Sequence, residues 1–249
     1  MVTDPTRRMR GRRVASWATV LLLTAAARPA SAQVMDSSVH WFALLDQLEL
    51  APNRGGTPLK ADATGWLGGD VNRLWVRAEA DQETESASGE LQGEAFYGRL
   101  FSPYWDALVG IRVDHQWGDE TATRAHVALG LEGLAPYWFE VEPTLYVSQD
   151  GDVSAQLEAE YELLLTQRLV LQPRLEVQVA VQDVPEFGIG SGLSDLELGA
   201  RLRYEFRREI APYVGVAWHR RTGETADLAR AAGEYVSNVS FVAGLRVWY

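Results

Sequence analysis

Apolar and polar residues alternate along nearly the whole chain beyond residue 39. Leu74, Val76, Ala78 and Ala80 alternate with Arg73, Trp75, Arg77 and Glu79. Val153, Ala155, Leu157, Ala159, Tyr161 and Leu163 alternate with Ser154, Gln156, Glu158, Glu160 and Glu162. Leu196, Leu198, Ala200, Leu202, Tyr204 and Phe206 alternate with Glu197, Arg201, Arg203 and Glu205. A repeat of two residues belongs to strands, since an amphipathic helix repeats near 3.6. The pattern predicts strands at 40–51, 60–69, 72–83, 89–101, 104–117, 122–134, 137–148, 152–165, 168–182, 194–207, 210–221 and 236–249. The first two are the weakest, so ten strands is the alternative to twelve.

The connections alternate in length. Ala135-Pro136, Thr166-Gln167 and Arg208-Glu209 are short, whereas Asp183 to Leu193 and Thr222 to Tyr235 are long and punctuated by glycine. Aromatic residues gather at strand ends: Tyr104, Trp105, Trp117, Tyr137, Trp138, Tyr213, Trp218, Trp248 and Tyr249. Interfacial girdles of membrane barrels lie at such positions. The last strand ends on Tyr249, and a terminal aromatic there resembles the signal by which barrel-assembly machinery recognises its clients. A soluble β-sandwich would also show period two, but it would not place a densely charged face opposite an apolar one with aromatics at the rims. The prediction is therefore all-β: a closed antiparallel transmembrane β-barrel, with the short turns toward the periplasm and the long loops outside.

The first 32 residues are expected to be a signal peptide. Arg7, Arg8, Arg10, Arg12 and Arg13 precede the apolar run Val14 to Ala27, and Ala30-Ser31-Ala32 forms a small-x-small cleavage site. Met9 would serve equally as the start. The apolar run is shorter than the roughly 18 residues of a spanning helix, and no later run reaches that length. Crossing a membrane thus falls to strands, which must close because lipid leaves no partner for an open sheet edge. Residues 33–39 read as a short periplasmic lead-in and 40–249 as an outer-membrane barrel.

Without residues 1–32 the chain holds 23 − 6 = 17 basic and 34 − 1 = 33 acidic residues, a formal charge of −16. That balance excludes nucleic acid held through its phosphates and favours attraction of cations. The chain has no cysteine, which excludes thiolate metal sites and Cys-His catalysis.

With the apolar face turned to lipid, the polar face lines the lumen. The charges placed there include Asp114, Glu140, Glu142, Glu158, Glu160, Glu162, Arg174, Glu176, Arg201 and Arg203, with Arg112, Arg124, Glu197, Glu205 and Arg246. Two readings follow: cross-strand ion pairs that fill and brace the lumen, or a cation path with an acidic excess. No catalytic motif accompanies the histidines, so no enzymatic activity is expected. His115 has lipid-facing parity near a strand end and reads as a rim residue. Gly188-Ile189-Gly190-Ser191-Gly192 precedes a strand instead of opening a helix, so it reads as a flexible turn and not as a phosphate cradle. Soft ligands are few: His40, His115, His126, His219 and Met35.

Several runs carry a resemblance. They are Gly65 to Trp75 (GWLGGDVNRLW), Leu134 to Glu142 (LAPYWFEVE), Leu157 to Arg174 (LEAEYELLLTQRLVLQPR), Gly188 to Glu197 (GIGSGLSDLE) and Arg203 to Tyr213 (RYEFRREIAPY). With them the chain resembles the copper-resistance protein B family over about residues 37–249. The resemblance implies an outer-membrane protein that supports copper tolerance beside a periplasmic multicopper oxidase and periplasmic copper carriers. Copper is then the implied ion. The family often carries a segment rich in Met and His ahead of the barrel; here Gln33 to Val39 offers only Met35, followed by His40. Cu(I) favours thiolate, thioether and imidazole, so this ligand set leaves Cu(II) on His and carboxylates, or a changed role. The expected ligands are Met35 and His40 near the entrance, or His126 or His219 with lumen carboxylates. A porin-like or structural barrel without metal preference is the alternative, and a barrel enzyme a more distant one.

Overall fold

In a computed structural model of the protein, residues 38–84, 88–118 and 121–249 are described. The segment read as a signal peptide and most of the lead-in, Met35 included, lie outside the described residues.

Thirteen strands run in chain order: β1 His40–Leu50, β2 Pro58–Gly68, β3 Asn72–Glu83, β4 Gly89–Ser102, β5 Trp105–Trp117, β6 Ala122–Ala135, β7 Phe139–Ser148, β8 Val153–Glu160, β9 Leu163–Leu164, β10 Leu169–Ala180, β11 Gly192–Tyr204, β12 Ile210–Arg221 and β13 Ser237–Trp248. Sequential strands pair antiparallel, and β13 returns to β1 with Leu44 opposite Trp248 and Leu50 opposite Ala243. Tyr249 completes the seam by exchanging backbone hydrogen bonds with Ala43 at 3.0 and 2.8 Å. The ring of full-length strands is thereby closed, as lipid requires, while the two-residue β9 pairs with β10 alone.

The barrel has twelve staves, because β9 continues β8 along β10. The break between them has a cause in sequence. Tyr161 N–H donates to the Pro173 carbonyl at 3.2 Å, but Pro173 has no N–H to return the bond. The ladder lapses for Tyr161 and Glu162 and resumes at Leu163 opposite Leu171.

The outward face is apolar and exposed. Val127, Leu129, Ile111, Val214 and Phe241 are each more than half exposed, in a band that suits lipid tails. At the end that carries both strand termini, aromatics form contacts: Trp41 stacks on Tyr249 at 5.2 Å, Tyr104 meets Trp138 edge-on at 6.2 Å, and Phe139 lies 4.9 Å from Tyr161. We call this the terminal end and the opposite one the loop end. Tyr213 leaves the girdle assigned to it: it points inward, is buried, and donates to Glu49 Oε2 at 3.0 Å.

The lumen is not polar throughout. Trp75, Phe96, Leu108, Ala128 and Tyr146 form a buried cluster on the inner wall of β3 to β7. Arg77 sits 5.4 Å over Phe96, and Arg112 sits 4.7 Å over Tyr146. These guanidinium–ring contacts join the apolar patch to the charges beside it. Gly110 makes room for the cluster, since a Cβ there would lie 2.1 Å from the Ala95 carbonyl oxygen and 2.6 Å from Phe96 Cδ1.

The long loop after β12 contains a helix, α1, at Gly223–Ala231. Ala226, Ala229 and Ala231 give it helix propensity. Thr225, Ala226 and Ala229 are buried, and Thr225 and Ala229 line the cavity at the barrel mouth.

Candidate functional site: a loop-end cavity above a braced lumen

A cavity of about 730 Å³ occupies the loop-end half of the lumen. Its walls come from alternate, inward residues of most staves, which is why charges far apart in sequence meet there. Twelve carboxyl residues line it against five Lys and Arg side chains (Lys60, Arg112, Arg124, Arg174 and Arg221), a formal excess of seven acidic residues. Glu79, Asp81, Glu90, Asp195 and Glu197 are among the acids. A smaller cavity of about 260 Å³ opens at the terminal end, lined by Phe42, Glu162, Arg203, Glu205, Arg208, Ala211, Arg246 and Trp248.

Between the two cavities the lumen is bridged. Arg174 NH1 reaches Asp62 at 3.2 Å, from β10 to the far wall at β2, while its NH2 meets Glu158 at 2.6 Å and its Nε meets Glu160 at 3.4 Å. Glu160 accepts from Gln172 at 2.6 Å, and Gln172 accepts from Arg203 at 3.0 Å. Arg203 and Arg246 share Glu162 at 2.6 and 2.8 Å. On the other side, Arg77 NH2 meets Glu132 and Glu142, each at 2.8 Å. Arg201 binds Glu49 through two hydrogen bonds of 3.0 and 2.9 Å and Gln47 at 2.8 Å.

The bulge in β1 explains part of this arrangement. Register slips by one between Leu45 and Gln47, so Asp46 and Gln47 both turn inward and Glu49 follows. Strict alternation from Trp41 and Ala43 would have sent Gln47 and Glu49 to lipid. Instead both are buried, and Asp46 meets Arg246 at 2.7 Å. Sequence reasoning missed these three residues, as well as Asp62 and Glu94, while Glu79, Asp106 and Glu132 fell on the polar face without being singled out. For the residues of β2 to β6 the signal was present in the alternation; for β1 it was inverted by the extra residue.

The residues expected to hold metal are spread apart. His126 on β6 is buried with Nδ1 3.6 Å from Asp114 and its ring edge-on to Tyr146. His219 on β12 lines the large cavity and its Nε2 lies 2.7 Å from Asp195. These staves are well separated in the ring. His40 opens β1 at the terminal end, its Nε2 2.8 Å from Ser38 Oγ. His115 lies at the loop rim, 2.8 Å from Thr123 Oγ1 and stacked on Trp117. Among the described residues, no three His, Asp or Glu side chains converge at metal-ligand geometry. Of the other expected lumen charges, Glu176 accepts from Gln156 and Gln178 at 3.1 and 2.9 Å, Asp114 pairs with Arg112 at 2.6 Å, and Glu140 is exposed toward the terminal mouth.

The cavity is roofed. The loop after β10 docks on α1 through the Gly188–Gly192 run that was expected to be a flexible turn: Gly190 N–H donates to Thr225 Oγ1 at 2.8 Å. A Cβ on Gly190 would lie 2.3 Å from the Thr225 nitrogen, so only glycine permits this approach. Ser191 N–H donates to Asp183 at 2.6 Å and its hydroxyl to Glu224 at 3.2 Å. Below them Phe187 lies 5.4 Å from the Arg124 guanidinium.

The Asp183 and Glu224 carboxyls are hydrogen-bonded to one another in solvent. Glu224 is raised by that bond, and Asp183 is lowered by it and by the Ser191 donor. The sign follows. Asp183's contribution requires its charge and is lost as pH falls through its lowered pKa. Glu224's contribution requires its proton and is lost as pH rises through its raised one. The roof should be tightest on the acid side, between the two, and loosen toward neutral pH. Amide hydrogen exchange at Ser191 across that range should accelerate as pH rises beyond the intrinsic base-catalysed increase, and Glu224→Gln should remove the excess. An unchanged excess in that variant would refute the latch.

A closed ring of twelve antiparallel staves with an apolar exterior, aromatic rims and a charged interior defines a transmembrane β-barrel of the outer-membrane class. Among solved structures, the NanC porin matches it with a TM-score of 0.55 at 13% identity, over 83% of this chain and 98% of the porin. The chain belongs to the copper resistance protein B family: the family model described as copper resistance protein B precursor (CopB) matches residues 39–249. Copper resistance protein B of Escherichia coli is 41% identical over 219 residues, covering 87% of this chain and 72% of that protein. The copper resistance protein B homolog of Pseudomonas syringae pv. tomato is 41% identical over 217 residues with the same coverage. The protein is thus an outer-membrane barrel of a copper-resistance family, in a lipid environment.

Proposed function

We propose that the barrel supports copper tolerance by admitting copper, as a hydrated divalent cation, to its loop-end cavity and passing it along lumen carboxylates across the outer membrane. The observation that carries this reading is the formal excess of seven acidic residues in that cavity. Acid-lined clefts with low-dielectric walls concentrate cations. Oxygen donors with an isolated imidazole suit Cu(II) better than Cu(I). The dispersed ligands hold copper weakly, which suits passage better than storage. In this reading His219 with Asp195, and His126 with Asp114, are transient contacts along the way, and His40 serves the terminal mouth. The terminal end faces the periplasm once residues 1–32 are removed, and there a periplasmic multicopper oxidase or copper carrier exchanges the ion.

The test is Cu(II) titration of the refolded barrel. Glu79→Gln, Asp81→Asn and Glu90→Gln together should weaken binding, and the difference from wild type should shrink as salt screens the cavity. Binding should also weaken as the solution is made acidic, because an imidazole must be deprotonated to hold a metal. Equal affinity of the triple variant and wild type would refute a role for the acidic excess.

One observation favours a second reading. The bridges from Arg174, Arg77 and Arg201 fill the mid-lumen, as they would in a structural barrel with no metal preference. That barrel would bind Cu(II) no better than Mg(II), and its loss would not alter copper tolerance.

A further inference from the structure

Arg174 stands out among the lumen cations. It is 7% exposed, lines the loop-end cavity, and has four carboxylates within 4.0 Å. Three of those acids share its own side of the barrel. Glu176 is on the same strand, and Glu158 and Glu160 are on the adjacent β8. Only Asp62, on β2, belongs to the far wall, and it draws the guanidinium across the lumen. The remaining link toward the terminal cavity runs from Glu160 through Gln172 to Arg203. Arg174 therefore lies in the wall of the large cavity, at the head of a hydrogen-bonded chain that reaches Arg203 in the wall of the small one.

A guanidinium among four carboxylates occupies the place that a passing cation would need. It is tethered to β10 by a flexible three-carbon stem, and its Nε makes no well-formed hydrogen bond. The cost of a bare cluster of acids explains why some cation must sit there. An incoming cation competes with the guanidinium for Asp62, while Glu158, Glu160 and Glu176 on its own wall still hold the tethered arm.

We propose that Arg174 is the gate of this barrel, an internal cation held across the lumen by Asp62, which an incoming cation displaces. Loss of Asp62 lets the arm fall back on Glu158 and Glu176 along its own wall and opens the path. Loss of the guanidinium opens the path and leaves it cation-selective. This inference rests on the reading of the lumen as a cation path, and it names the residue that controls it.

The experiment is current through the full mature chain in planar bilayers bathed in KCl, with K⁺ as the probe. Wild type should pass little current. Arg174→Gln should raise single-channel conductance several-fold, with a reversal potential under a KCl gradient that marks K⁺ over Cl⁻. Asp62→Asn should raise conductance by a smaller factor. Heat-dependent migration on gels reports whether each variant is folded. Should Arg174→Gln fail to fold, Asp62→Asn, which keeps three of the four carboxylates around the guanidinium, decides the matter. Wild-type conductance in a folded variant, or an open state that prefers Cl⁻, overturns the gate. Neither result touches copper binding by the cavity, which the Cu(II) titration judges separately.

Discussion

Leu129→Arg is expected to prevent assembly of the barrel, whereas Leu164→Arg is expected to be tolerated. Leu129 lies midway along β6, 53% exposed, between the outward residues Val109 and Leu145 of its neighbours. Leu164 is 66% exposed but ends β9 at the terminal rim. A lipid-facing arginine costs roughly 2–4 kcal/mol at the bilayer midplane and about 0–1 kcal/mol near the interface. The contrast thus tests which face meets lipid and where the midplane lies, which a loss of side-chain packing alone would not. Refolding into vesicles across a urea series measures it. Leu129→Met serves as the size control and should fold like wild type. Equal stability of the two arginine variants would contradict the assignment of this face.

Arg201→Ala is expected to destabilise the barrel by about 3–5 kcal/mol, because it leaves a buried charge without its partner. Glu49 is 1% exposed, and both of its oxygens are bound by Arg201. Replacing the pair together, as Arg201→Met with Glu49→Leu, should recover much of that loss, since two apolar residues carry no desolvation cost. The recovery falls short where Gln47 Oε1 loses a donor and Tyr213 O–H loses its acceptor. Urea midpoints of the two single variants and the double variant give the coupling. Additive effects would show that the pair does not act as a unit.

The twelve staves were legible because lipid imposes a plain rule. One face of every strand must be apolar from rim to rim, so alternation is not blurred by a second sheet. The lumen obeys no such rule. Trp75, Phe96 and Tyr146 sit at polar parity because interior space has to be filled as well as solvated. Alternation places them inward correctly but is silent on what they do there. The bulge at Asp46 inverted the parity of β1, and no local residue type announces it. Tyr213 was grouped with rim aromatics by its position near a strand end, while its own alternation with Val214 and Val216 pointed inward. Helix α1 was legible in principle. Its alanines lay between Gly223 and Gly233, which read as loop punctuation. The break at Tyr161 came from Pro173, a residue distant in sequence until β8 and β10 are paired.

The candidate site was legible as chemistry but not as geometry. Glu158, Glu160 and Arg174 were assigned to the lumen from their strands alone. That Asp62 completes their cluster from across the barrel depends on ring closure and stagger, which no window of sequence contains. The copper assignment came from long motifs shared with a family, and the few histidines and single methionine beyond the leader would not have suggested it.

In the proposed function, the acidic cavity is what serves copper tolerance. It is tested most directly in a strain that lacks its own copy of the gene, complemented with wild type or with the Glu79→Gln, Asp81→Asn, Glu90→Gln variant and grown over a range of copper concentrations. Both proteins must reach the outer membrane in equal amounts, as judged by heat-dependent migration. Wild type should restore growth in copper and the variant should not, while growth without copper is the same for both. Full copper tolerance with the variant would show that the cavity acids are dispensable.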